Sequence, residues 1–289
     1  MKTLLCIACA GLILPFACSS QTWRLPVASP GWGAIGYSRQ FFDLAATRAN
    51  VATLTNFKTM SGSIYGERAF LLSPAQTLLG IAAAPALSGV LAISFSVAGY
   101  SDFHEYDVGF GYAKNLGSNL SVGIRCGYYS LYIPGYFNAG AIESEIGLLC
   151  KPVERVSIGM QICNPFGARL GSKGDERLAM QSSFAFGYDF SSTFYMGFII
   201  QKTRGQPPDV HLIWHYQPLP AFGFEAGLET VRDMVWFAPV FQFGKIQLRV
   251  NVSHHPTLGF SQGLGLFCRI KNERKQHTNR NENGEGLGL

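Results

Sequence analysis

The chain has 289 residues, of which 14% are charged and 13% aromatic, with 33 glycines spread along it. An ordinary soluble domain carries ~25% charged residues, so this balance suits a protein whose outer surface meets lipid. The formal charge of +5, or +4 without Lys2, is too weak to argue for nucleic acid.

Met1 and Lys2 precede an apolar run from Leu4 to Ala17 and then small residues at Cys18, Ser19 and Ser20. That pattern is a secretory signal peptide over 1–20, too short for a helix that crosses ~30 Å of hydrocarbon. Cleavage is expected near Ser20. A lipid-modified Cys18 is the alternative, although Pro15 stands where the preceding triplet wants leucine. Beyond it no uninterrupted apolar run reaches ~18 residues, which excludes a helical membrane protein. Cys6, Cys9 and Cys18 fall at the signal, and Cys126, Cys150, Cys163 and Cys268 show no CxxC spacing, so neither a disulfide framework nor a metal site is expected.

Residues 21–59 carry no period-two pattern and are expected to enter or cap the lumen of a barrel formed by the rest of the chain. From residue 60 to 270 apolar and polar residues alternate in segment after segment. Strands are expected at 61–72, 76–84, 89–99, 105–114, 119–131, 139–151 and 155–164. The second half adds 181–190, 193–202, 209–217, 222–229, 235–243, 245–253 and 258–270. The total is fourteen, even as single-chain outer-membrane barrels require, and most segments are near the ~10 residues that cross a bilayer when tilted. Pro239 is expected to distort its strand or delay its start. The expected fold is an all-β transmembrane antiparallel barrel with an N-terminal segment in the lumen. Residues 271–289 form a polar tail without periodicity.

The sense of the barrel follows from the two faces. Phe, Tyr, Trp and Leu crowd the apolar faces, too many for any closed interior, whereas the polar faces carry glycine and scattered charge. The apolar faces are therefore assigned to lipid, with Tyr128, Tyr129, Tyr132, Tyr136, Phe137, Trp214 and Tyr216 as candidate interfacial aromatics. Cys126, Cys150 and Cys268 fall on those faces as small hydrophobes. The opposite face places Glu105, Asp107, Arg125, Glu143, Glu145, Asp189, His211, His215, Glu225, Glu229 and Arg249 in the lumen. Inward glycines at 109, 111, 123, 127, 187, 223 and 227 thin the wall and leave room for a chain inside.

Three short motifs add a family. Tyr65 to Leu72, Asn164 to Leu170 and His255 to Phe260 resemble the PorV/PorQ-type outer-membrane proteins, relatives of the FadL-like long-chain fatty acid transporters. The resemblance implies a protein of the Gram-negative outer membrane. It implies an accessory or interaction component of a secretion or assembly system, such as type IX secretion, with outer-membrane or periplasmic proteins as partners. The alternative it implies is a FadL-like transporter for hydrophobic small molecules. Gly31 to Ala52 looks like the FadL hatch, with Asn50, Val51 and Ala52 in the position of an Asn-Pro-Ala motif, Val51 replacing proline. The accessory reading is preferred, because the hatch motif is broken and inward glycines offer no shaped pocket.

No catalytic residue, cofactor or metal is expected. Gly259 to Gly263 matches G-x-S-x-G, but Ser261 lies in an alternating strand with no helix after it. His211 and His215 share a face yet sit roughly 13 Å apart, beyond one metal. The pairs Glu143 with Glu145 and Glu225 with Glu229 could suggest acid/base work. They are read instead as lumen charges paired with Arg125, Arg249, Arg269 or Lys114.

Overall fold

The computed structural model describes residues 35–72, 76–100, 103–135, 137–171, 177–231 and 233–270. The signal peptide, the start of the lumen segment and the polar tail lie outside the described residues. The described chain is a closed antiparallel barrel of fourteen strands in meander order, shut by pairing of β1 with β14. The strands are β1 Ser61–Arg68, β2 Gln76–Ala86, β3 Gly89–Tyr100, β4 Phe103–Asn115, β5 Leu120–Ile133, β6 Phe137–Val153 and β7 Val156–Cys163. They continue with β8 Gln181–Asp189, β9 Phe194–Thr203, β10 Asp209–Leu219, β11 Phe222–Glu229, β12 Met234–Phe243, β13 Ile246–His255 and β14 Gly259–Arg269. Each of the fourteen expected segments corresponds to one of these.

The alternation divides the two faces of the wall. Phe110 is 66% exposed and Ile142 67%, while the inward Ala113 and Glu145 are 0% and 1% exposed. In water so many exposed large hydrophobes would be an aggregation hazard, and in lipid they are the solvated face. On that outer face a run of ring contacts crosses the strands near one end: Tyr188 to Phe190 at 4.6 Å, Phe194 to Tyr216 at 6.4 Å and Tyr216 to Phe224 at 5.4 Å. Tyr216 thus belongs to the outer aromatic band, whereas Tyr129 does not. Its ring faces the lumen and is 6% exposed, because odd positions of β5 point inward.

Three departures from the expected strands have local causes. β1 stops at Arg68, where Phe70 takes a left-handed φ of 53° and its N–H donates to Ser261 Oγ at 2.9 Å. β10 runs on to Leu219 through a register shift after Tyr216, a bulge at the barrel end. β12 begins at Met234 and keeps Pro239 in mid-strand. The proline pairs with Phe224 of β11, and the ladder to β13 lapses between Phe237 and Val240 without losing register.

The buried core lies inside the barrel, between the wall and the N-terminal segment. That segment contains a single helical turn, α1 Ala46–Ala49, followed by a 3-10 stretch, Val51–Asn56. α1 ends at once because Asn50 is extended, with φ −159° and ψ 115°.

Candidate functional site

The site is the lumen with the chain from Ile35 to Phe57 packed in it. Asp43 starts the helical turn by accepting from the Ala46 N–H at 3.2 Å, and Thr47 Oγ1 donates to the Leu44 carbonyl at 2.7 Å. Asn50 then locks the segment to the wall. Its amide donates to the carbonyls of Leu148 at 2.8 Å and Met160 at 3.3 Å, and its Oδ1 accepts from Ala52 N–H at 2.9 Å. Val51 donates its N–H to Gln161 Oε1 at 2.7 Å, a bond that proline could not make. The Val51 N–H is therefore a second anchor of the segment to the wall, beside Asn50.

The inward glycines are that seat. A Cβ on Gly123 would meet the Val51–Ala52 backbone at 2.7 Å, and one on Gly147 or Gly159 would collide with Asn50 or Tyr37. Gly187 leaves 2.8 Å to the Tyr37 carbonyl. Gly109 and Gly127 make room for the Arg125 guanidinium, and Gly227 for the Trp236 ring. Gly147 and Gly159 were not among the glycines picked out in the sequence. The space beside the inward glycines is taken by this segment at Gly123, Gly147, Gly159 and Gly187, and by large wall side chains at Gly109, Gly127 and Gly227.

Two charged groups join the segment to opposite walls. On one side Arg48 reaches Asp107 Oδ2 at 3.0 Å and Glu145 at 3.9 Å. Arg125 lies beside them, ion-paired with Glu143, with Asp107 at 2.6 Å and with Glu145 at 3.2 Å. On the other side Asp43 lies 3.5 Å from Arg249, which holds Glu225 at 2.5 Å, and Glu225 meets His215 Nδ1 at 3.2 Å. Nearer one mouth Asp189 accepts from Ser38 Oγ at 2.6 Å and from the Arg39 N–H at 3.0 Å. Arg269 takes no part, its guanidinium lying over the rings of Phe42 and Phe267 at 5.3 and 5.4 Å.

Asp43 and Arg48 were missed in the sequence. They are the only charges between Phe41 and Phe57, and an isolated charge in an apolar stretch headed for burial needs a partner. That was the signal available.

The histidines separate. His215 belongs to the Glu225 pair, whereas His211 sits between Asp209, at 3.2 Å, and Glu229, at 3.4 Å. The ligand atoms of Asp209, His211 and Glu229 lie within 4.8 Å of one another, the one place among the described residues where three metal-ligating side chains converge. The imidazole lying between the two carboxylates accounts for the same geometry without an ion. Ser261, of the hydrolase-like motif, lies in β14 and accepts from the Phe70 N–H.

Near the opposite mouth the loop after β7 folds inward. Asn164, left-handed at φ 51°, ties back to β6 by donating its N–H to Ser144 O at 2.7 Å. Leu170 and Leu178 then pack on Tyr129, Leu131, Ala139 and Ala141 of the inner wall.

These features define a transmembrane-type barrel with the chain from Ile35 to Phe57 packed inside its wall and tied to inward-facing charges. No family model and no curated protein matches the chain. Solved structures do match it in fold, which is that of a FadL-like barrel. The CymD monoaromatic hydrocarbon channel superposes with TM-score 0.65 at 11% identity, over 86% of this chain and 97% of that one. The toluene transporter TodX of Pseudomonas putida gives 0.59 at 9% identity, over 81% and 95%. A FadL homologue of Pseudomonas aeruginosa gives 0.58 at 10% identity, over 88% and 99%. The expectation of an accessory secretion component is corrected by this finding, since the barrels of like architecture are channels and transporters.

Proposed function

We propose that the chain is a transporter of the FadL type, passing small hydrophobic or amphipathic molecules across the outer membrane through a lumen controlled by its N-terminal segment. The observation that carries this reading is the seating of Asn50 and Val51 against wall carbonyls and Gln161, over glycines that only an inserted chain explains. The names of the fold neighbours, hydrocarbon channels and a toluene transporter, support it. The narrower kinship with PorV/PorQ-type proteins rests on three motifs. In this fold they serve as a buried wall ring at Tyr65, a strand-ending turn at Asn164 and a turn in which His255 Nδ1 accepts from Leu258 N–H at 3.2 Å.

Cells carrying the chain in their outer membrane are expected to take up radiolabelled toluene or decanoate faster than cells with an empty vector. Equal rates with folded protein present would overturn the reading. In planar bilayers the intact protein is expected to conduct little, and deletion of Arg24 to Ala52 to open steady conductance. No change on deletion would mean that the segment does not close the lumen.

A further inference from the structure

We propose that a groove on the outer face of the wall, over β8 to β10, is the seat of one anionic phospholipid, with an acyl chain against Phe186, Met196, Phe198 and Leu212 and the phosphate on Arg155. The site is separate from the lumen and does not depend on what passes through it.

Strand register builds the groove. Phe186 lies level with Phe198 and Leu212, and Tyr188 with Met196, all at the outward positions of their strands. Along β9 the flexible, unbranched Met196 stands between the rings of Phe194 and Phe198. The result is a groove of about 420 Å³, lined by Phe186, Tyr188, Phe190, Met196, Phe198 and Leu212, none of them charged. That volume lies within the ~300–1,000 Å³ of sites that take one small ligand, and such a lining takes hydrocarbon. On the lumen side the wall is shut. Gly187 pairs with Gly197, and Tyr37 and the Tyr195 hydroxyl press on these glycines from within. What fills the groove therefore arrives from the membrane.

One end of the groove has the chemistry of a headgroup site. It opens at the mouth where short turns join the strands, which in outer-membrane barrels faces the periplasm and so lies in the phospholipid leaflet. There the rings of Tyr188, Phe190, Phe194 and Tyr216 touch in sequence at 4.6, 5.5 and 6.4 Å, an aromatic band of the kind that sits at headgroup level. Arg155 is exposed at the same level, since Val156 pairs with Tyr188 and the Arg155 carbonyl accepts from the Asp189 N–H at 2.9 Å. The Asp189 carboxylate is turned inward and taken by Ser38 Oγ and the Arg39 N–H, which leaves the Arg155 guanidinium for a partner from outside. A guanidinium receives phosphate oxygens in a bidentate pair. The strand ends and turns of this mouth carry Lys58, Lys114, Lys151, Arg155 and Lys245 against Glu154 and Asp189, a surplus that favours an anionic over a zwitterionic headgroup.

The test is native mass spectrometry of the full chain in a mild non-ionic detergent, with phosphatidylglycerol and phosphatidylcholine of identical chains added in equal amounts. One phosphatidylglycerol per barrel is expected to survive activation, in preference to phosphatidylcholine by about fivefold. Arg155→Gln should bring the two lipids within about twofold of each other. Met196→Trp, shown to be folded by its heat-modifiable gel band, fills the groove and should lower retention of both by at least about fivefold. Ile124→Trp, at an exposed outward position of β5 away from the groove, should leave retention as in the wild type. Equal retention of the two lipids by the wild type, retention that survives Met196→Trp, or an equal loss in Ile124→Trp overturns the proposal. A dimer of the chain that Met196→Trp converts to monomer would assign the groove to a second copy and overturn it too. Toluene uptake measured on the same variants reports on the lumen separately, so the transporter reading stands or falls on its own result.

Discussion

The inserted segment meets two walls that hold it by different means. Along β5 to β8 the wall has given up its side chains: Gly123, Gly147, Gly159 and Gly187 bring backbone against backbone, and the holding contacts are hydrogen bonds from Asn50 and Val51. Along β14 and β1 to β4 the wall is filled, with Tyr65, Leu79, Ile81, Val90 and Phe267 packed on Leu44, Leu54 and Phe57. Phe57 meets Phe267 edge-on at 6.0 Å and Phe42 at 5.3 Å. Hydrogen-bonded contact is directional and tolerates no added volume, whereas apolar packing scales with area and adapts to a change of shape. One wall therefore sets where the segment sits, and the other holds it by apolar packing, as Tyr195, Ile199, Ile213 and Trp236 of β9, β10 and β12 do around Tyr37 and Phe41.

The largest effect should come from putting volume into the glycine wall. Gly147→Val places methyl groups where Asn50 Oδ1 and Val51 already sit, so the segment must leave its seat while the barrel ladder survives. Steady conductance in planar bilayers from a protein that still shows the folded gel band is the expected result. Wild-type conductance would mean that the wall is softer than its contacts imply.

A smaller effect is expected on the filled wall. Leu79→Ala, at a fully buried position, should lower unfolding stability by about 3 kcal/mol without opening the lumen, and Leu79→Met by less than about 1.5 kcal/mol. Denaturant midpoints and conductance measured together check both halves of that statement. If Leu79→Ala opened the pore as Gly147→Val does, the division of labour between the walls would be wrong.

The smallest effect isolates the directional contacts. Asn50→Ala removes the bonds to Leu148, Met160 and Ala52, a net loss of about 2 kcal/mol once solvent competition is counted. The change should show as faster hydrogen exchange at the Ala52 amide, with the exchange of wall amides in β1 and β2 unchanged. Uniform acceleration across the barrel would place Asn50 in the stability of the whole fold instead of the seating of one segment.

What the amino-acid sequence determined by itself was the wall. A strand between lipid and lumen has the surroundings of every side chain set by parity alone, so Ile246 to Ser253 or Leu120 to Tyr129 declare both a strand and its two faces without reference to any other part of the chain. Even Pro239 did not break its strand, since the ladder to β11 carries it past the lapse toward β13. Tyr129 shows the same rule from the other side: its parity already marked it as inward, and only its aromatic character suggested the girdle. Tertiary structure alone decided what fills the wall. The segment from Ile35 to Phe57 has no period to read, because its neighbours are set by closure of the barrel around it. Asp43 and Arg249 are 206 residues apart, and Glu143 and Glu145 become partners of Arg125 only through the register of β5 against β6. The glycines changed meaning for the same reason. In the sequence they marked missing side chains, and in the folded chain they mark where another part of the molecule presses in, because close packing leaves such space unfilled nowhere in a stable core.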